Sequence, residues 1–470
     1  MLKDRLKSFI LLLLVCLSIY QTGRLWFEDL SNRNFFYNMV MSKIQEYQKF
    51  QHLEQYYFTK PNRVVVCFAD EEKEFAVFSH TQGETGYLQQ VTKDVIKKVL
   101  QKGDYEGAFS LEELQEKEGS SLWQYPGVVL DYQFLIPFSS LVWELGIKPV
   151  SYGKQLDFFD QIWIMTNDQM PNIQYEVYFI NGQERLGHVM TWKEEKNKQL
   201  LTTLIKELKS KQFWTYSSSK KDGLSKFSKN VFLPMNTKDL YINQVLFLEN
   251  PFLKDGQVNE EALEQLMNPF FENYALKWMI KKEQNRYVYG DDGIIIKYFP
   301  EGMIEYSNQT IRGFKKEMSV EEAYQVAEKF LSKDQQLQNQ EYELKDYEKQ
   351  GDGYRFCFQY SFYDFPYVIS SGIKKELGLE YPIEIWVENY QVKIYRRWIL
   401  EQKDLPIYLR EMQDTYIAAY DRLAVQLTEE QKQEPIQDLF LAYYQARIDE
   451  NPQLSWVFRI GDQWYYERAR

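Results

Sequence analysis

Carboxylates stand side by side at several points in this chain: Asp70-Glu71-Glu72, Glu194-Glu195 and Asp291-Asp292. Two carboxyl groups held about 5 to 9.5 Å apart in an aromatic-lined cleft are what glycoside hydrolysis needs. With 36 Tyr, 31 Phe and 11 Trp available to line such a cleft, action on a polysaccharide stays in view as an alternative. Adjacent acidic residues serve more simply as solvated turns. Gly290-Asp291-Asp292-Gly293 lacks the alternating acidic spacing of a calcium loop and reads as a turn in its own right. Ser-x-x-Lys, the nucleophile pattern of penicillin-binding enzymes, occurs at Ser151/Lys154, Ser217/Lys220, Ser218/Lys221 and Ser371/Lys374. None is joined by Ser-Asp-Asn or Lys-Thr-Gly, so these are chance matches. The histidines, His52, His80 and His188, form no His-x-x-x-His or Cys/His cluster and read as surface or sheet residues. There is no Gly-x-Ser-x-Gly, phosphate loop or Gly-x-Gly-x-x-Gly. The expectation is a non-enzyme with no cofactor, no metal and no catalytic residue.

Composition narrows the partners. The formal charge is −12 and the basic residues form no long block, which argues against nucleic acid and against an anionic membrane surface for the bulk of the chain. An aromatic share of 17% is too apolar for disorder and leans towards sheets. Three cysteines cannot make a disulfide framework. Cys67 in Val64-Val65-Val66-Cys67-Phe68 and Cys357 in Tyr354-Arg355-Phe356-Cys357-Phe358 read first as small buried apolar residues, with a bridge between them left open.

One stretch is built for hydrocarbon. Phe9 to Tyr20 is apolar, follows Lys3, Arg5 and Lys7, and leads into Leu25-Trp26-Phe27. A span usually takes about 20 residues, and Leu6 to Phe27 reaches that length if Arg24 snorkels. Aromatics at Trp26 and Phe27 suit a headgroup boundary. No small-x-small cleavage site follows, and Val15 is too bulky for lipoprotein processing at Cys16. The reading is an uncleaved signal anchor in preference to a cleaved peptide. Basic residues ahead of it put the N-terminus in the cytoplasm, leaving ~440 residues outside a cell membrane crossed once.

The expected fold class is α+β: one N-terminal transmembrane helix, then a multi-domain exterior of antiparallel sheets with packed helices. The expected divisions are tip and anchor 1–30, a helical stalk 31–60, an α+β domain 61–230, a middle segment 231–315 and a C-terminal helix-plus-sheet domain 316–470, possible as two tandem units. Alternation marks strands at Arg63 to Phe68, Phe75 to Ser79, Val128 to Tyr132, Gln161 to Met165, Gln174 to Ile180 and Leu186 to Trp192. Helical patterns run over Val91 to Leu100, Ile136 to Leu145, Lys193 to Lys211, Asn259 to Asn273 and Tyr408 to Leu427, with Thr215 to Asn230 as a long loop. Ser110-Leu-Glu-Glu113 has the capping-box spacing of a further short helix. Gln244 to Leu248 reads as a short strand, and Tyr287 to Tyr306 as three short strands around Gly-Asp-Asp-Gly and Pro-Glu-Gly turns. Ser319-Val-Glu-Glu322 is a capping box opening a helix through Leu331. Strands follow at Tyr342 to Tyr347, Tyr354 to Phe362, Ile383 to Glu388, Gln391 to Trp398, Pro435 to Tyr444, Trp456 to Ile460 and Trp464 to Arg468. Asn389-Tyr390 should turn the third of these into the fourth, by a loop longer than two residues because Tyr sits poorly where φ is positive.

Several of these stretches together resemble the YycH family. They are the short basic start, Ser18-Ile19-Tyr20-Gln21-Thr22 with Leu25-Trp26, Gly302-Met-Ile-Glu-Tyr306, the helix from Ser319, the Ile383 to Arg396 hairpin, and Asp438 to Tyr443 with Trp456-Val-Phe-Arg459. Members of that family, with their sibling YycI, are exported single-anchor regulators of an essential cell-wall sensor histidine kinase of the WalK/YycG type in Gram-positive bacteria. The resemblance implies a regulator whose partners are the kinase and a YycI-like membrane protein, with cell-wall homeostasis as its setting. Ser18 and Thr22 share one helix face with Trp26 beyond them, and these three are the expected partner contacts in the anchor. The alternative is a cell-surface enzyme or binding protein acting on cell-wall polysaccharide.

Overall fold

The computed structural model describes residues 58–470 except for 70–73, 80–82, 111–124, 149–155, 168–172, 195–199, 211–214, 219–225, 228–231, 236–240, 244, 255, 272–273, 275–276, 284–285, 292, 311–316, 404–408, 413 and 462. The expected anchor, with Ser18, Thr22 and Trp26, and the expected stalk up to residue 57 lie outside the described residues; residues 58–60, where the stalk was expected to end, form a turn. Among the described residues no helix is long and apolar enough to cross a membrane.

Residues 57–470 form one unit, mixed α+β, on two large sheets. The first sheet is made by β1 (Arg63–Cys67), β2 (Phe75–Ser79), β3 (Asp104–Ser110), β4 (Gly127–Pro137), β5 (Phe158–Asn167), β6 (Ile173–Asn181), β7 (Leu186–Glu194), β8 (Tyr216–Ser218) and β9 (Phe232–Pro234). Their order is β3-β7-β6-β5-β4-β1-β2-β8-β9, and neighbours run antiparallel. Period-two alternation gives it two apolar faces. Val65, Cys67, Val129, Trp163, Met165, Tyr178 and Ile180 pack as one cluster, while Val64, Val66, Val128 and Ile164 are fully buried on the other face. Helices α1 (Gly83–Lys102) and α3 (Leu200–Lys209) pack on each other, and α1 also covers β6 and β7; α2 (Phe138–Glu144) follows β4 directly.

The second sheet takes β10 (Trp278–Glu283), β11 (Arg286–Gly290), β12 (Ile294–Tyr298), β13 (Met303–Asn308), β14 (Glu341–Gln350), β15 (Gly353–Phe362), β16 (Phe365–Ile369), β17 (Ile383–Glu388), β18 (Gln391–Trp398), β19 (Ile436–Gln445), β20 (Gln453–Ile460) and β21 (Gln463–Arg468). The order is β10-β11-β12-β13-β18-β17-β15-β16-β19-β20-β21, with β14 paired to β15. Every ladder is antiparallel except β16 with β19. Helix α4 (Glu260–Met267) precedes this sheet, α5 (Val320–Leu331) lies across β15, β17 and β18, α6 (Ser371–Leu377) follows β16, and α7 (Tyr416–Ala424) packs on β21.

Local chemistry sets these bounds. Ser319 and Glu322 cap α5 reciprocally, as expected from their spacing. Asn259 caps α4, which Pro269 tightens into a 3-10 turn instead of letting it run to Asn273. The β6–β7 turn spans 182–185, with Asn181 Oδ1 accepting from the backbone N–H of Gln183 and Glu184. Other expectations need correction. Lys193 and Glu194 finish β7, paired to Gln174 and Ile173, so α3 starts seven residues later than its apolar period suggested. β4 runs on through Ile136 and Pro137 against Phe159 and Phe158, past a bulge, which leaves α2 only the residues after the proline. Ser110 closes β3; the rest of its capping-box stretch lies outside the described residues. Tyr216–Ser218 is a strand within the stretch read as loop, and Tyr241–Asn243 and Leu248–Glu249 replace the strand expected over Gln244 to Leu248. Leu409–Glu411 is a strand, and α7 begins behind its Thr415 cap rather than at Tyr408. β16 and α6 had no period long enough to mark them. Asn389-Tyr390 is a two-residue turn after all: both have positive φ, 51° and 60°, and Glu388 pairs with Gln391.

The two sheets meet along a seam. Phe58 sits among Phe134, Tyr324 and Tyr347 with ring centroids 5.1 to 5.9 Å away. The Tyr347 hydroxyl donates to the Leu135 carbonyl at 3.0 Å, and Ser140 on α2 donates to Glu321 on α5. Arg63 on β1 reaches both Asp131 on β4 and, at 3.0 Å, Asp438 on β19.

Candidate functional site

A cleft of about 570 Å³ opens beside α5, within the range of small-molecule sites. The capping box fixes where α5 starts, and its 3.6-residue period then decides which residues meet the cleft. Phe330 is buried and Val326 half-buried, whereas Lys329 and Lys333, one turn apart, are exposed at the rim. The floor is aromatic: Phe330 lies 4.8 Å from Tyr306 on β13 and 5.2 Å from Phe270, which the 3-10 turn after α4 delivers. Trp278 opens the edge strand β10 and forms another wall, 49% exposed. The last wall is the β17–β18 turn. Tyr390 is held in its left-handed conformation by two bonds, its backbone N–H to Met318 Sδ at 2.9 Å and its hydroxyl to Glu322 Oε2 at 2.9 Å.

The polar lining is equally specific. Asp291 Oδ1 accepts from the backbone N–H of Gly293 and Ile294, so the Gly-Asp-Asp-Gly stretch is a turn, as read. Asn308 Oδ1 accepts from the backbone and hydroxyl of Thr310, which leaves its amide N–H₂ as the donor end. Gly293 packs closely on Thr310: a Cβ there would lie 1.9 Å from Thr310 Cγ2, so the threonine side chain would have to turn away. Among the described lining residues Asp291 is the one carboxylate, so the cleft does not present the carboxyl pair that glycoside hydrolysis uses.

Two buried polar groups lie elsewhere on the same sheet. Arg397 and Asp334, both fully buried, form an ion pair: the guanidinium donates from Nε to Tyr360, from Nη1 to Asp334 and from Nη2 to Gln340, and the Tyr395 hydroxyl donates to Asp334. Glu328 on α5 is 4% exposed. Burial pushes its carboxyl up to about 7, against the opposing hydrogen bonds from Tyr324 and Tyr342 and the charge of Lys60.

Among the described residues, those singled out in the sequence do not converge. Ser18, Thr22 and Trp26 lie outside the described residues, as do His52, His80, Asp70-Glu71-Glu72, Glu195 and Asp292. His188 is buried in β7 with Nδ1 2.9 Å from the Tyr105 hydroxyl, and burial lowers its pKa. Cys67 and Cys357 are buried and do not form a disulfide, and burial raises the Cys357 thiol to about 12. No group of three or more His, Cys, Asp or Glu among the described residues is arranged to hold a metal. Sequence reasoning missed the cleft. Trp278, Tyr306, Lys329 and Tyr390 are spread over more than a hundred positions, and only the sheet order brings β10, β13 and the β17–β18 turn to one cleft beside α5.

No family model matches the chain, and no curated protein matches it. Among solved structures, YycH from Bacillus subtilis matches with a TM-score of 0.52 over 87% of this chain and 95% of its own, at 14% identity. The chain has a YycH-like fold. The fold expected from the sequence resemblance is thus matched over most of the chain; the anchor residues that also carried the resemblance lie outside the described residues. An uncharacterized protein from Eubacterium rectale ATCC 33656 matches at a TM-score of 0.31 and 15% identity, over 52% of this chain and 87% of its own.

Proposed function

We propose that this protein is a membrane-anchored extracytoplasmic regulator of a two-component sensor histidine kinase, acting by contact. The observation that carries the reading is the YycH-like fold across 87% of the chain. In this reading residues 9–20 hold the chain in the cell membrane with the N-terminus inside, and the two sheets stand outside. Ser18, Thr22 and Trp26 form the anchor face that meets the kinase or a YycI-like partner. A kinase with two signalling conformations is shifted by whatever binds one of them better; a preference of about 1.4 kcal/mol changes the ratio tenfold. In lipid such a preference comes from packing of small side chains and a few polar groups, which is what Ser18 and Thr22 offer. No chemistry on the kinase is required.

The test is reconstitution of the full-length chain with the kinase in vesicles, reading autophosphorylation. The native anchor should change the rate, and exchanging residues 6–27 for an unrelated apolar helix should abolish most of that change. An effect that survives the exchange intact, or a chain recovered free of membranes with its first residues removed, overturns the reading.

A further inference from the structure

We propose that Phe58 to Arg63 act as a strap across the seam: seated, they hold the two sheets in one relation, and withdrawn, they let the sheets move as two bodies. The segment has partners on both sides of the seam. Phe58 is buried with its ring 5.9 Å from Phe134 on β4, in the first sheet, and 5.5 and 5.1 Å from Tyr324 on α5 and Tyr347 on β14, in the second half. The buried Thr59 donates to Glu144 at the end of α2, from its backbone N–H at 3.1 Å and from its hydroxyl. Lys93 on α1 donates to the other oxygen of that carboxylate at 2.6 Å. Lys60 is exposed and faces Glu328 on α5 with Glu341 and Glu343 on β14. Pro61 fixes one φ angle between these contacts. Asn62 is a bridge in itself: its Oδ1 accepts from the backbone N–H of Gln133 on β4 at 3.0 Å, and its Nδ2 donates to the Leu344 carbonyl on β14 at 3.4 Å. Arg63 then reaches Asp131 on one side and Asp438 on the other.

These six residues join two halves that each bury apolar side chains of their own. The bonds that cross beside the strap are polar: Tyr347 to the Leu135 carbonyl, Ser140 to Glu321, and the Ile436 N–H to the Lys226 carbonyl. Contacts of that kind between parts of one chain permit relative motion, because a hydrogen bond exchanged for one to water costs little. The ring of Phe58 is the apolar wedge among them, and it sits at the N-terminal end of the strap, where the preceding chain leads in. Whatever shifts that chain acts on Phe58 first, and on α5 through Tyr324. This holds whether or not the protein regulates a kinase, since the motion is read on this chain alone.

The experiment is a pulsed electron-spin distance measurement on the full-length chain in detergent. Labels go on Glu207→Cys in α3 and Glu376→Cys in α6, both exposed, with Cys16→Ser so that the native thiols left, Cys67 and Cys357, are buried. The parent should give one narrow distance. Phe58→Ala should add a second distance distinct from the first, and Asn62→Ala should add the same one in a smaller share. A second pair, Glu207→Cys with Asp104→Cys, lies wholly in the first half and should keep its distance in every variant, which separates motion of the halves from unfolding. Val177→Ala, at a fully buried position of β6, is the control for general destabilisation and should leave both distances single. If Phe58→Ala does not fold, Asn62→Ala decides alone. A single unchanged distance between the halves in the folded strap variants, the same second distance in Val177→Ala, or a change in the pair within the first half each overturns the proposal.

Discussion

Glu328 is the residue whose burial has a consequence in solution. Its carboxyl titrates near 4.5 when the chain is unfolded and at about 7 in the fold. Between those values the folded chain keeps a proton that the unfolded chain has lost, so stability falls as pH rises from about 4.5 to 7 and then levels off. Asp160, lifted by burial to about 6 against the hydrogen bond from Gly182, adds a slope of the same sign. The melting temperature should therefore drop across this window, and Glu328→Gln should flatten most of the drop and raise stability at pH 8. A variant that keeps the full slope would show that Glu328 is not the group responsible. The buried Arg397–Asp334 pair shows what sequence conceals at this scale. Nothing near Arg397 in the sequence marks it for burial, because the groups that satisfy it, Tyr360, Asp334 and Gln340, come from other segments. Glu384 is similar: alternation rightly buries Ile383, Ile385 and Val387, yet Glu384 is buried too, taken up by Arg355 and two backbone N–H groups.

Among elements, the β17–β18 hairpin carries most weight, since its turn shapes the cleft. Two consecutive positive φ values define a turn that favours Asn-Gly, and Tyr at the second position costs about 1 to 2 kcal/mol. An exposed hydroxyl-to-carboxylate bond returns about 1 kcal/mol of that. Tyr390→Gly should accordingly leave folding stability within about 1 kcal/mol of the parent in urea titrations, trading strain for the lost bond. A loss above about 2 kcal/mol would mean that Tyr390 packs far more strongly than these terms allow. Elements with a local cause were the legible ones: the capped helix at Ser319, the strands around Gly290 to Gly293, and the hairpin itself. Those missed had a tertiary cause. β16 holds only five residues and owes its form to β19, some seventy positions onward, while β7 overrides a helical pattern at Lys193 because β6 is there to pair with it.

At the scale of the whole molecule, the two sheets are joined by the seam, and Arg63 is the charge that ties β1 to both Asp131 and Asp438. Arg63→Met should leave those two carboxylates without their shared cation; because the site is partly open to water the loss is about 1 to 3 kcal/mol. Hydrogen exchange should then quicken in β4 and β14 along the seam while the centre of β6 keeps its protection. Uniform acceleration, or none, would deny the seam that role. The parallel ladder between β16 and β19 carries a different implication. On the ribosome, the nascent chain completes β10 to β18 while one margin of that sheet, Tyr367 to Ile369, still has no neighbour. Only the final strands, from Ile436 onward, cover it. Until Tyr443 to Gln445 are made, a bare apolar strand waits for a companion, and a chain stopped before them would be a sticky product instead of a merely shortened one.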